Sequence, residues 1–307
     1  MINIVNFSGG RSSLRLVHYH ENEKRKNPDH EVEYIFADTG AEHPDTYRFL
    51  KDVVEHFKIE LTCIRVIVHP EMGKGVGYRV VPLSECKHDL IPFKEVCEKY
   101  GTPFMPSGKF CTQFLKTRPI EKYCKDKYGN KGKYIKWLGM RVDEPKRIKT
   151  TKEQFDMFQE SKKADPAMKN VRYLADVCSY DKQDIKDWAS QFDFDLTFET
   201  DILGNCTFCI ERGVNKNALA ARLEPGLAEK FIAMVNLDSI PTPETREFPK
   251  DVMYRGNMSL ENIIEAYKDV STEDIMRTMR GFKDSGGCGQ SCEATFSDDN
   301  FDLFEDI

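Results

Sequence analysis

The chain begins with a short apolar run that leads directly into two glycines and three serines. The sequence reads MINIVNFSGGRSSLRLV, so a strand pattern over Ile2 to Phe7 is followed at once by Ser8-Gly9-Gly10-Arg11-Ser12-Ser13. Glycines directly after a strand let the backbone approach a ligand without a Cβ in the way. A helix that begins there presents unpaired N–H groups and the positive end of its dipole. The stretch therefore predicts a binding site for phosphate, and the serine hydroxyls supply further donors.

This loop matches neither of the two common nucleotide fingerprints. It lacks the Gly-Lys-Ser/Thr ending of the P-loop and the three spaced glycines of the dinucleotide motif. Taken alone, Ser-Gly-Gly is equally compatible with an ordinary strand-to-helix turn.

Two more polar stretches follow strand patterns. Asp38-Thr39-Gly40 and Glu42 follow the strand pattern 33–37, and Gly139-Met140-Arg141 and Arg147 follow the pattern 134–138. Because ligands bind outside the carboxyl ends of the strands in open parallel sheets, the three stretches together predict a nucleotide site. Arg141 and Arg147 could fork onto phosphate or sulfate oxygens. Asp38 and Glu42 could serve a ribose or Mg²⁺, and helix capping by Asp38 or Thr39 is the ordinary alternative.

The order of the patterns predicts an α/β fold. Strand patterns at 2–7, 33–37, 61–68 and 134–138 alternate with helical ones, which indicates a Rossmann-like, doubly wound, mainly parallel sheet. From about residue 196 the patterns become helical, with helices expected at 215–236 and 259–280. We therefore expect a nucleotide-binding α/β domain over 1–195, a helical, cysteine-containing region over 196–297, and an acidic tail over 298–307.

Charge is distributed unevenly along the 307 residues. The net charge is −6, but the segment 109–152 holds fourteen Lys or Arg against four acids, a net +10 that leaves −16 for the rest. A basic segment on an acidic body suits a polyanionic partner such as a nucleic acid, and a solvated lysine-rich helix face is the alternative. No run of 18 apolar residues and no secretory signal occur, so we expect a cytoplasmic protein without membrane contact.

The ten cysteines include two closely spaced pairs. Cys206 and Cys209 form a CxxC motif, and Cys288 and Cys292 form a CxxxC motif about 80 residues later. Two such pairs predict a four-thiolate site for Zn²⁺ or an iron–sulfur cluster, and spacing does not choose between them.

Taken together, these motifs resemble the phosphoadenylylsulfate-reductase-like branch of the PP-loop adenine nucleotide α-hydrolase superfamily. The resemblance covers roughly the first 150 residues, and its motifs are specific as a set. It implies a Rossmann-like sheet that binds ATP or a related adenylate, with the loop on the pyrophosphate or sulfate end. In one departure, Ser12 stands where ATP pyrophosphatases of the superfamily often have an Asp that helps to handle Mg²⁺. The residues that carry the resemblance are Ser8 to Ser13, Asp38, Thr39, Gly40, Glu42, Pro44, Cys111, Thr112, Lys116, Pro119, Gly139, Arg141, Asp143, Glu144 and Arg147.

The resemblance also implies an activity. It is closest to the ATP pyrophosphatase component of DNA phosphorothioate modification systems, which adenylates an acceptor oxygen so that sulfur can replace it; tRNA thiolation is the close variant. The implied catalytic residues are Ser8, Asp38 and Arg141, and the implied partners are ATP, Mg²⁺, a nucleic acid and a sulfur donor such as a cysteine desulfurase.

The family analogy favours a [4Fe–4S] cluster over Zn²⁺. Relatives of the adenylylsulfate type have adjacent cysteines where this chain has Cys111-Thr112, so Cys111 is either an alternative ligand or a sulfur carrier.

Two other functions stay open. The first is a phosphoadenylylsulfate or adenylylsulfate reductase, for which Cys288-Gly289 only partly matches the expected Glu-Cys-Gly context. The second is a non-catalytic nucleotide-binding subunit with structural zinc.

Overall fold

The protein is built around a six-stranded sheet with the order β4-β3-β2-β1-β5-β6. The computed structural model describes residues 1–71, 73–104, 110–129, 134–148, 171–244 and 246–281. All neighbouring strands are parallel except β3 and β4, which pair antiparallel. The strands are β1 Ile2–Asn6, β2 Val32–Ala37, β3 Leu61–Val68, β4 Val76–Val81, β5 Tyr134–Leu138 and β6 Val171–Tyr173.

The expected Rossmann-like α/β fold is confirmed. The strand order reverses at β1, the position where folds of this kind form a crevice for a ligand. The chain runs from β1 outward through β2 to β3 and later returns to the other side of β1 with β5. Ile4 pairs with Glu33 on one side and Lys136 on the other, which fixes the register of the three central strands. The carboxyl ends of β1 and β5 therefore meet at the point where the strand order reverses.

The helices lie on both faces of the sheet and in the C-terminal part. The second begins at Pro44, which has no N–H to lose at the first helical position, and the imidazole of the capping residue His43 accepts a hydrogen bond from Asp45 N–H. Within the described residues, the helices of seven residues or more are α1 Arg11–Lys26, α2 Pro44–Phe57, α3 Ile91–Tyr100, α4 Arg118–Tyr128, α5 Lys182–Ala189, α6 Val214–Leu223, α7 Pro225–Val235, α8 Leu260–Ala266 and α9 Thr272–Gly281. Shorter helical segments include Phe110–Thr112, which contains Cys111 and continues into the π-helix Gln113–Thr117, and Thr200–Leu203.

Both long helices expected in the C-terminal part are in fact pairs of shorter ones. The pattern 215–236 divides at Pro225, which begins α7 because its ring cannot continue α6. The pattern 259–280 divides between α8 and α9, and Thr272 begins the second helix. The strands β4 and β6 were not expected from the sequence.

Three buried clusters join these layers. Val5, Phe7 and Phe36 pack with α1 and α2 on one face of the sheet. Ile4 and Ile35 pack with α4 on the other face. A third cluster joins α3 to the C-terminal helices, so that the helical part shares its core with one flank of the α/β part. No helix within the described residues is both long and apolar enough to cross a membrane.

Candidate active site

The loop between β1 and α1 (residues 8–13), which we call the anion loop, has a backbone conformation that could accept an anion. Gly9 has a φ of +75°, and a Cβ at this position would lie 2.5 Å from Thr46 Cγ2. The Ser13 hydroxyl accepts a hydrogen bond from Gly10 N–H at 3.3 Å and donates one to Gly10 C=O at 2.9 Å. The Ser8 and Ser13 hydroxyl oxygens are 3.2 Å apart. The first N–H groups of α1 have no acceptor within the helix, so the loop presents them together with these hydroxyls.

This loop opens into a cavity of about 680 Å³. That volume is in the range of small-molecule sites. The cavity is bordered by the end of β5, by the first turn of α2, and by the segment that leads into the helical part. Among its lining residues are Ser8, Gly9, Gly10, Arg11, Ser12, Ser13, Thr46, Gly139, Arg141, Asp143, Glu144, Lys146, Arg147, Leu196, Phe198, Cys209, Arg212 and Lys216.

Two arginines after β5 reach the same cavity. Arg141 donates from Nη1 to the Ser12 hydroxyl at 3.2 Å and forks onto both carboxylate oxygens of Asp143 at 2.8 and 3.1 Å. The Glu144 carboxylate accepts from Arg141 N–H at 3.0 Å and forms an ion pair with Arg147. The carboxylates hold both guanidinium groups beside the loop, where a phosphate could exchange with them.

Asp38 does not line this cavity. It is fully buried at the end of β2, where its carboxylate accepts from Arg65 Nε at 2.6 Å, Gly40 N–H at 3.0 Å and the Tyr47 hydroxyl at 3.0 Å. Burial and the neighbouring Glu42 carboxylate raise the pKa of Asp38, against the lowering effect of Arg65. The structure thus places Asp38 in a buried network behind the anion loop.

Thr39 and Glu42 extend this network toward the cysteines. The Thr39 hydroxyl donates to Glu42 at 2.8 to 2.9 Å and lies 3.6 Å from Cys206 Sγ. The Glu42 carboxylate lies 3.4 Å from Lys116 Nζ, and both side chains are buried. Cys206 also forms an isolated bridge with Glu42. The end of β2 is therefore joined directly to the CxxC loop.

Sequence reasoning missed Arg65, which organises this network. The residue lies in the middle of β3, between buried apolar residues, and it also contacts Asp89 at 3.1 Å. A charged residue inside a buried strand requires a partner, and that requirement was the available signal.

The CxxC loop is held by one buried arginine. Arg212 donates hydrogen bonds to four backbone carbonyls around the loop, those of Ile202, Gly204, Cys206 and Thr207. Cys209 N–H donates to Cys206 C=O at 3.2 Å, which closes the turn. Of the loop's two thiol residues, Cys209 lines the cavity.

Cys111 lies close to this pair. Burial raises the pKa of Cys111, and the Cys209 and Cys206 thiols add to the effect, so the three side chains are near enough to interact electrostatically. Burial raises the pKa of Cys206 to about 12, although the Lys116 ammonium acts in the opposite direction. All three cysteines are free.

These three thiols are the candidate metal ligands within the described residues. Thiolates are ligands that Zn²⁺ and iron–sulfur clusters both accept. Within the described ranges, however, no three His, Cys, Asp or Glu side chains form a group that could hold a metal ion. Cys288 and Cys292, the other two predicted ligands, lie outside the described residues.

The basic side chains of the segment 109–152 that the structure describes lie in three different places. Lys116 and Lys136 are buried, whereas Lys122 and Lys125 are exposed on α4. Arg141, Lys146 and Arg147 border the cavity. The positive charges of this segment are therefore divided between the protein interior, the cavity and the exposed face of α4.

The described fold and site can be compared with known proteins. Residues 2–191 match the family model of the phosphoadenosine phosphosulfate reductase domain. The chain is 39% identical over 308 residues to a protein of Escherichia phage lambda named "Uncharacterized nin region protein ORF290", and the alignment covers 99% of this chain and 98% of that protein. No solved structure matches the chain.

Proposed function

The chain belongs to the phosphoadenosine phosphosulfate reductase domain family, and from this membership and the cavity we propose that it is an ATP pyrophosphatase that activates an acceptor for sulfur insertion. One observation carries the proposal: the anion loop, Arg141 and Cys209 all line the same cavity. A nucleotide phosphate chain and a sulfur-bearing group could therefore meet in one cavity.

In this proposal the reaction is an adenylation. An acceptor oxygen forms a bond to the α-phosphorus of ATP as the bond from that phosphorus to pyrophosphate breaks. The N–H groups of residues 9–13 and the hydroxyls of Ser8 and Ser12 would hold the leaving pyrophosphate, and Arg141 would neutralise charge that develops on it. Positioning and charge stabilisation of this kind account for most of the catalysis in phosphoryl chemistry.

Mg²⁺ would enter with ATP. Two of the carboxylates that line the cavity, those of Asp143 and Glu144, are ion-paired with Arg141 at the cavity itself. Asp38 and Glu42 are instead engaged with Arg65 and Lys116 in the buried network. We therefore propose Asp143 and Glu144 as the carboxylates nearest the metal–nucleotide complex. Asp38 and Glu42 would instead support the loop.

The thiols would supply the sulfur chemistry. We propose that Cys206 and Cys209 supply two ligands of a [4Fe–4S] cluster or Zn²⁺, and that the others come from Cys288 and Cys292, with Cys111 as the alternative to one of these. Serine variants of Cys206 and Cys209 should bind less iron or zinc per chain than the wild type. The control is Cys124→Ser, a substitution in the buried core, which should leave the metal content unchanged. Equal metal content in all variants would contradict this ligand set.

The acceptor would be a nucleic acid, DNA in phosphorothioate modification or tRNA in thiolation. Exposed Lys146 at the cavity and exposed Lys122 and Lys125 on α4 support such a polyanionic acceptor. Binding through phosphate contacts weakens steeply as salt rises, so DNA and tRNA affinities measured at several salt concentrations test this part. A cysteine desulfurase would be the sulfur donor, and thiolated product should then form only when the desulfurase and cysteine are both present.

A phosphosulfate reductase is the second candidate, favoured by the family match and by the thiol at the cavity. The deciding experiment incubates anaerobically purified protein with ATP, Mg²⁺ and nucleic acid in one arm, and with phosphoadenylyl sulfate and a dithiol in the other. Pyrophosphate release supports the pyrophosphatase, and sulfite release supports the reductase.

Arg141→Ala should abolish most of either activity, while Arg79→Ala, an exposed arginine on β4 outside the cavity, should have no effect. Binding of nucleotide without either product would indicate a non-catalytic subunit.

A further inference from the structure

The side chain of Arg11 is engaged with another segment, although its sequence position is inside the anion loop. Its Nε donates to both carboxylate oxygens of Asp195 at 2.8 and 3.0 Å, and its Nη2 donates to Leu196 C=O at 2.8 Å. The side chain is 9% exposed. Three such bonds from one guanidinium fix both its position and that of its partner.

A second set of contacts from α2 holds the same segment. Arg48 donates to Phe194 C=O at 3.1 Å and to Asp195 C=O at 2.9 Å. The Asp45 carboxylate accepts from the backbone N–H and the hydroxyl of Thr197 at 2.8 and 2.9 Å. The first turns of α1 and α2 therefore clamp residues 194–197 from one side.

This clamped segment is one wall of the cavity. Leu196 and Phe198 line the cavity, while Asp195 and Thr197 point toward the helices, as expected when side chains alternate along an extended chain. The Phe198 ring also packs against the His43 ring at a centroid distance of 4.6 Å. The wall therefore presents an apolar surface beside the polar anion loop.

We infer that Arg11 is a positioning residue, which acts through Asp195 and Leu196 to set the 194–198 wall against the anion loop, and that this wall contacts the nucleoside part of the nucleotide. The inference rests on the proposed function, namely that the cavity binds an adenine nucleotide. It assigns Arg11 a different role from the direct phosphate contact that its sequence position suggests. The phosphate donors are then the loop amides and hydroxyls, and the guanidinium shapes the site around them.

The test separates the two roles by comparing ATP with inorganic pyrophosphate in titration calorimetry. Pyrophosphate fills the anion loop but has no nucleoside to contact the wall. Arg11→Gln and Asp195→Asn should each raise the Kd for ATP about tenfold, and the double variant should be no worse than either single variant, because both remove the same contact. The Kd for pyrophosphate should stay as in the wild type. Phe198→Ala, which shortens the wall itself, should show the same selective loss.

The matched control is Glu98→Gln. Like Asp195→Asn, this substitution converts the acid of an ion pair to an amide. The ion-pair partner of Glu98 is Lys94 on α3, and neither residue lines the cavity. This variant should bind both ligands as the wild type does. Melting temperatures of all variants would confirm that the proteins are folded.

A loss of pyrophosphate affinity in Arg11→Gln but not in Asp195→Asn would show that Arg11 binds phosphate directly and would overturn the inference. Unchanged ATP affinity in both variants would also overturn it. If Arg11→Gln does not fold, Asp195→Asn and Phe198→Ala decide the question in the same way. A wild-type protein that binds neither ligand would refute the proposed function itself.

Discussion

Replacing Gly9 by alanine tests the anion loop through its backbone. Two separate effects act against a Cβ here. The residue has a φ of +75°, a conformation that costs an L-residue about 1–2 kcal/mol. The added carbon would also lie 2.5 Å from Thr46 Cγ2, and overpacking of this kind in a buried site costs about 1–3 kcal/mol. Gly9→Ala should therefore lower the free energy of unfolding by about 2–5 kcal/mol.

Two further variants separate these contributions. Gly73 has a φ of +79°, and a Cβ added there would have no heavy atom within 4 Å, so Gly73→Ala should lose only the conformational contribution of about 1–2 kcal/mol. Thr46→Ser removes the methyl group that a Cβ on Gly9 would meet. Adding Gly9→Ala to Thr46→Ser should therefore cost less than adding it to the wild type, by about the overpacking amount of 1–3 kcal/mol.

The assay is urea unfolding of the four variants, followed by calorimetric titration of the folded ones with pyrophosphate. Gly9→Ala should weaken pyrophosphate binding, because the shift that accommodates Cβ also moves the neighbouring amides, and Gly73→Ala should not. The reasoning fails if Gly9→Ala is as stable as the wild type. It also fails if Gly9→Ala costs the same with and without the Thr46 methyl group.

Three more predictions follow from individual side chains. Arg141→Ala should lower kcat/KM roughly tenfold to a hundredfold with little change in melting temperature, because it removes a charge-assisted contact at the cavity beside Ser12; an unchanged steady-state rate would exclude it from the site. Arg212→Gln should loosen the CxxC loop, so that Cys209 reacts faster with iodoacetamide under denaturant-free conditions, and equal reaction rates would contradict the role of the four carbonyl contacts. Burial lowers the pKa of His20 from its usual 6.5 to about 3, so on acidification the unfolded chain binds a proton before the folded one does. Each pH unit below 6.5 should therefore lower the free energy of unfolding by up to about 1.4 kcal/mol. In urea unfolding between pH 6 and 4, the free energy of unfolding of His20→Gln should depend less on pH than that of the wild type, and parallel curves would exclude His20 as the cause.

The central sheet could be predicted because its strands have strong local signals. β1, β2, β3 and β5 are apolar runs that end at polar or glycine residues, and the loop after β1 indicated the edge of the sheet where a ligand is expected to bind. By contrast β6 has three residues, too few for any period to be visible. β4 is an antiparallel edge strand whose position depends on pairing with β3, which is a tertiary contact.

The sequence indicated the loop and the two arginines that line the cavity, but it did not indicate which partners the buried charged residues would have. The spacing of Asp38 and Glu42 after β2 indicated polar residues at the ligand edge, yet it contained no information on Arg65, 27 residues later, which pairs with Asp38 across strands. In the same way, the loop position of Arg11 suggested phosphate contact, and its actual partner Asp195 is 184 residues away. A charged residue in a buried strand signals that a partner is needed, but which distant residue is that partner depends on the assembled fold.

The account depends most on the claim that the junction of β1 and α1 holds the phosphates of an adenine nucleotide. A crystal structure of the protein with Mg²⁺ and a non-hydrolysable ATP analogue tests it directly. We predict that the terminal phosphates lie within hydrogen-bond distance of the backbone N–H groups of residues 9–13, with Arg141 beside them. Phosphates bound elsewhere, or a junction that excludes the analogue at saturating concentration, would contradict the account.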